Sequence, residues 1–144
     1  MQKDIVATLI SQHRELQSVI SQIKVLIDEK KEGFSKTVLE KLKTFELKLK
    51  EHLELENNVF YVELLSKLKA KGVDISGIDK FILEMKDIER EVYYFLSKYY
   101  EKKSINEDLA EFKLDFNRIV EYLNLRIESE ESGVYMYWDI YDKK

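Results

Sequence analysis

The chain has no cysteine, no proline, four glycines and only two histidines among 144 residues. Without cysteine there are no disulfides, no zinc ribbons and no thiol chemistry. Without proline, and with so little glycine, few positions interrupt a helix, so long helices with few turns are expected. No apolar run approaches the roughly 20 residues of a membrane span. Residues 1–11 are amphipathic and carry no signal-peptide cleavage pattern. The expectation is a soluble cytoplasmic protein with no membrane partner. Neither sign of charge dominates: 24 Lys and Arg stand against 28 Asp and Glu, a net charge of -4. No dense basic cluster offers a phosphate footprint, which argues against nucleic acid as a partner. Lys41, Lys43, Lys48 and Lys50 read as a solvated face. A catalytic triad, a Gly-rich phosphate loop and a nucleophile elbow are also missing. Enzymatic activity is therefore not expected unless a bound metal supplies it.

What the chain has is pattern. Its hydrophobic content of 44% supports a proper core, and its length suits one domain over residues 1–144. Three breaks divide it: Glu32 to Ser35, Gly72 to Gly77, and Lys102 to Ile105. Capping pairs after the breaks are expected to start helices: Thr37 with Glu40, Ser76 with Asp79, and Ser104 with Glu107. Between the breaks, apolar residues recur at steps of three and four. The first helix carries Ile5, Leu9, His13, Leu16, Ile20, Ile23 and Ile27. The second carries Val38, Leu42, Phe45, Leu49, His52, Glu56, Val59 and Phe60. The third carries Ile78, Phe81, Met85, Ile88, Val92, Phe95 and Tyr99. The fourth carries Leu109, Phe112, Phe116, Val120, Leu123, Ile127, Glu131, Val134 and Trp138. Short connections make neighbours antiparallel, so the expected fold is an all-α, up-down-up-down four-helix bundle.

Polar residues on these seams are the functional signal, because a buried imidazole or carboxylate is costly unless paired or bound to metal. His13 lies 20 residues before Gly33 and His52 lies 19 after it. At about 1.5 Å per residue they meet at one level. Glu56 follows His52 by one turn, so both project from one face, and Glu131 faces them from the last helix. Glu130 takes its place if the phase of that helix is off by one. Two imidazoles and two carboxylates suit iron, manganese or zinc. The second and third helices match poorly in height, so the second is expected to bend or break after Tyr61, or the third does not face the site squarely. Other readings stay open. His13 could be a hydrogen-bonded core histidine, and Glu56 and Glu131 could turn to the rim. The many tyrosines near helix ends read as core and rim packing.

These seams resemble the hemerythrin-like, or HHE cation-binding, domains over nearly the whole chain. The likeness rests on Gln12 to Leu16, Glu51 to Phe60, Glu84 to Ile88, and Ile127 to Tyr135. It includes an internal repeat in which Glu56-x-x-Val59-Phe60 echoes Glu131-x-x-Val134-Tyr135. The resemblance implies a site for two bridged irons that bind or sense dioxygen, or store or sense iron. It also implies histidines where this chain has Met85 and Ile127, both serving one metal position. The expectation is a degenerate, mononuclear site of His13, His52, Glu56 and Glu131, most suited to iron, used for sensing, buffering or redox response and unsuited to carrying dioxygen on a di-iron pair. The alternative is a metal-free scaffold acting through protein contacts. There His13–Glu56 or His52–Glu131 would pair directly, and Val134 to Trp138 would form a contact surface or homodimer seam. A third reading is a metal-dependent oxidase whose open coordination position takes a small ligand.

Overall fold

The computed structural model describes residues 5–101, 105 and 107–142. It is an all-α, up-down-up-down bundle of four helical rods, with no strand among the described residues. The first rod is α1 (Ile5–Glu29). The second is α2 (Phe34–Leu55), a π-helical turn over Glu56–Phe60, and α3 (Tyr61–Ala70). The third is α4 (Ser76–Glu101) and the fourth is α5 (Leu109–Ser129), a second π-helical turn over Glu130–Val134, and α6 (Tyr135–Asp142). Among the described residues, no helix is long and apolar enough to cross a membrane.

Helix starts differ from the expected caps. The second rod begins at Phe34, directly after Gly33, whose φ of 77° reverses the chain without a side-chain cap. Thr37 therefore lies inside the helix, where its hydroxyl donates back to the Gly33 carbonyl. Ahead of α4, Asp74 accepts from the Ser76 backbone N–H at 3.0 Å, so the cap sits two residues before Ser76. Asp108 caps α5 by accepting from the Glu111 N–H at 3.2 Å. Ser104 lies outside the described residues, while Glu107 precedes the helix. The second rod ends in a Schellman motif, with Val73 N–H on Leu68 O and Gly72 N–H on Lys69 O, both at 3.0 Å. Gly72 supplies the left-handed residue that this motif needs, at φ 73°.

Where a bend or break after Tyr61 was one of two expectations, the second rod carries a π turn. It ends at Phe60, so Tyr61 starts a new α-helical segment whose buried face is Tyr61, Leu64 and Leu68. The core falls into two apolar clusters. One holds Leu16 through Ile27 of α1 with Val38, Phe45, Phe95, Phe112, Phe116 and their neighbours. The other holds Ile5, Leu9, Phe60, Leu64, Leu68, Val134, Tyr135 and Trp138. His13 falls between Leu9 and Leu16, so a polar layer separates the two clusters and is shielded by both. The C-terminal run expected as a contact surface belongs largely to this core. Val134, Tyr135 and Trp138 are buried, and only Met136 and Tyr137 of that run are exposed. Trp138 packs on Phe60 and beneath the Lys67 ammonium.

Candidate metal centre

Five polar or charged residues are buried among the described residues: His13, His52, Glu56, Arg126 and Glu130. All five meet in the layer between the apolar clusters. His13 comes from α1 and His52 from the end of α2, with ring centroids 4.6 Å apart. Glu56 and Glu130 each open a π turn. One donor atom from each of His13, His52, Glu56 and Glu130 lies within 4.8 Å of the other three.

Glu130 therefore stands in the cluster, and Glu131 stands beside it. Helical phase explains this. Steps of four from Leu123 to Ile127 to Glu131 overshoot the 3.6-residue repeat by about 80°. The alternating steps Val120, Leu123, Ile127, Glu130, Val134 stay on the seam. Glu131 is 22% exposed, and its Oε2 accepts from His13 Nδ1 at 2.7 Å while its Oε1 accepts from Arg14. These two hydrogen bonds outweigh partial burial and hold its carboxyl below the usual range.

Each imidazole is anchored through its outer nitrogen. His13 Nδ1 donates to Glu131, and His52 Nδ1 donates to Gln12 Oε1 at 2.7 Å. Both Nε2 lone pairs are thereby turned inward. His13 Nε2 is 3.2 Å from Glu130 Oε1, and His52 Nε2 is 3.5 Å from Glu56 Oε2. The direct pairings expected for a metal-free centre, His13 with Glu56 and His52 with Glu131, are thus exchanged for other partners. His52 Nε2 is buried with no hydrogen-bond partner. Burial holds the His13 pKa below its ordinary value, against the pull of Glu131 and Glu56, so the ring is a neutral donor.

Arg126 had no role in the sequence reading, and the tyrosines were expected only to pack. The Arg126 guanidinium pairs Nη2 with Glu56 Oε1 and Nε with Glu130 Oε2, the latter at 3.2 Å. Its Nη1 donates to the Met85 carbonyl at 3.3 Å. Burial works against its charge, but Glu130 and Glu56 outweigh burial and keep it protonated. Tyr135 donates to Glu56 Oε2 at 2.6 Å, and Tyr61 donates to Glu130 Oε2 at 3.0 Å. Burial, reinforced by the two carboxylates, pushes both phenols far up, so they remain donors. Burial raises Glu56 as well, but the neighbouring His52 ring and the Arg126 charge reverse that and hold it low. Burial and the Glu56 charge push Glu130 well up.

The register of the internal repeat was the missed signal. His52-x-x-x-Glu56 in the second rod corresponds to Arg126-x-x-x-Glu130 in the fourth, and each glutamate is followed five residues later by a tyrosine. In both rods the tyrosine N–H bonds the glutamate carbonyl five residues back, the widened turn of a π helix. The echo runs through Glu130 and Tyr135, one residue before the expected pairing of Glu131 with Glu56. In this register the residue matching His52 is Arg126, while Ile127 is an ordinary core residue.

Nitrogen and carboxylate donors in this number suit a borderline divalent ion. Donors to one ion at about 2.0–2.2 Å lie about 3.4 Å apart in a tetrahedral set and about 4.4 Å apart at most, when opposite each other, so these four would draw together on binding. The inward Nε2 atoms and the hydrogen-bonded outer nitrogens are the usual support for metal-ligating imidazoles. The family model described as Hemerythrin HHE cation binding domain matches residues 4–138. No curated protein and no solved structure gives a significant match.

Proposed function

The chain belongs to the hemerythrin HHE cation-binding domain family, and on that footing we propose that its bundle core holds one divalent metal ion, iron in the first place. His13 and His52 would bind through Nε2, Glu56 through Oε2 and Glu130 through Oε1, with Glu131 and Gln12 orienting the rings. The observation that carries this reading is the buried, partnerless Nε2 of His52. Left unpaired, such an atom costs roughly 1–3 kcal/mol; as a ligand it is satisfied. Bound iron would supply a redox-active Lewis acid in a layer screened from bulk water by two apolar clusters. The chain's own groups set its surroundings: Tyr135 and Tyr61 donate to the carboxylates, and Arg126 balances their charge. Sensing, buffering or redox response suits such a centre better than dioxygen carriage on a bridged pair of irons.

The test is elemental analysis of untagged protein, purified without chelator and reconstituted anaerobically with iron(II). One metal per chain is expected, and His52→Ala should abolish it. Two per chain would overturn the single-ion reading. None with iron, manganese or zinc would favour the rival, a metal-free scaffold working through protein contacts. That rival draws on Arg126, which already supplies the buried carboxylates with a counter-charge.

A further inference from the structure

We propose that Arg126 is a second cation built into the centre: its guanidinium fills one of two cation positions flanking the Glu56–Glu130 pair and so limits the site to a single exogenous ion on the imidazole side. This deepens the single-ion reading above and rests on it.

The carboxylates themselves show two faces. Glu56 turns Oε2 toward His52 and Glu130 turns Oε1 toward His13. Their remaining oxygens, Glu56 Oε1 and Glu130 Oε2, both meet Arg126. Two carboxylates that each divide their oxygens between opposite sides are arranged to bridge two positive centres. Here one of those centres is covalently part of the chain. The internal repeat gives the same answer independently. Arg126 stands four residues before Glu130, as His52 stands four before Glu56. One rod thus supplies a donor to a cation, and the other supplies the cation.

The guanidinium is also fixed in place. Its side chain is 5% exposed, Nη1 is held by the Met85 carbonyl, and Glu89 Oε2 lies 3.8 Å from Nη1 at the outer edge. A planar fork satisfied on several sides gives way less readily than a flexible ammonium. Met85, whose carbonyl the guanidinium meets, is buried and carries a thioether, a poor donor for a borderline ion. A second divalent ion would have to displace a bound positive charge and would find few donors.

Cobalt(II) stoichiometry, measured by equilibrium dialysis on the full chain, tests this. Wild type should bind one ion, and so should Arg126→Lys, which keeps a cation. The double variant Met85→His/Arg126→His exchanges the cation for donors and should bind two. If wild type binds one ion and the folded double variant also binds one, this proposal falls and the single-ion reading stands. If wild type binds none, the single-ion reading falls and takes the proposal with it. Should the double variant not fold, Arg126→Met decides. It removes the charge without adding a strong donor, so the metal-free protein should melt lower and gain more from cobalt(II) than wild type does. An equal gain in the two proteins would refute the proposal.

Discussion

Exchanging Glu130 and Glu131 separately asks which of two adjacent carboxylates binds the ion. Glu130→Gln keeps the side-chain volume but removes one of two carboxylate donors from a fully buried cluster. Breaking a buried charge pairing costs about 3–5 kcal/mol. At about 1.4 kcal/mol per decade, metal affinity should fall roughly 10²–10⁴-fold. Glu131→Ala leaves all four donors in place and removes only the 2.7 Å anchor on His13 Nδ1 and the rim contact with Arg14. Loss of such an outer partner lowers metal affinity about 10–100-fold. The assay is competitive titration of cobalt(II) against a chromophoric chelator, with circular dichroism melting to verify that both variants fold. An effect of Glu131→Ala as large as that of Glu130→Gln would refute the assignment and return Glu131 to the coordination sphere.

Three further outcomes follow from other parts of the structure. Gln12→Ala should weaken metal binding about 10–100-fold by freeing the His52 ring, which a cobalt(II) titration would read; an unchanged affinity would mean that Gln12 does not orient the ligand. Phe60→Ala should cost about 3–5 kcal/mol, because this fully buried ring contacts Tyr61, Tyr135 and Trp138, and at about 2–4 °C per kcal/mol the melting point should drop by around 10 °C. Asp115 governs part of the acid limb. Its partial burial is outweighed by hydrogen bonds from Tyr99 and Lys98, so its folded pKa lies below the ordinary 3.8. Its stabilisation is complete above that ordinary value and is lost as pH falls through the folded value. Melting curves of Asp115→Asn should accordingly show a shallower decline below about pH 4 than wild type; identical limbs would remove Asp115 from the account.

The bundle was legible because apolar periodicity reports directly on burial. Every seam residue assigned to the first helix, from Ile5 to Ile27, is buried. His13, His52 and Glu56 were legible for the same reason, as polar residues at positions that must face inward. Phase failed at Glu130, where a chain of four-residue steps drifted off the seam and the π turn beyond it broke the 3.6-residue repeat. Tyr61 and Tyr135 were hidden by the same turns, since no α-helical template joins residues five apart on one face. Arg126 was hidden by chemistry. An arginine normally marks solvent, and only its four-residue spacing from Glu130, matched by His52 and Glu56, pointed inward. Caps were the least legible feature, because Gly33 and Asp74 act through backbone conformation and turn geometry that the capping template does not include.

The two π turns also fix where this chain tolerates a change of length. A residue added to the connections near Gly33 or Gly72 alters a solvent-facing turn and leaves the helix register alone. A residue deleted within 57–60 or 131–134 is absorbed as the widened turn closes to an ordinary one, whereas a deletion in the regular part of a rod rotates everything beyond it by about 100°. Such a rotation would carry the carboxylate out of the polar layer, or Leu64 and Leu68, or Trp138 in the other rod, out of the cluster around Phe60. The five-residue distance from each glutamate to its tyrosine is therefore the mark of the widened turn itself: in a related sequence a distance of four signals that the turn has closed, whichever residues lie between.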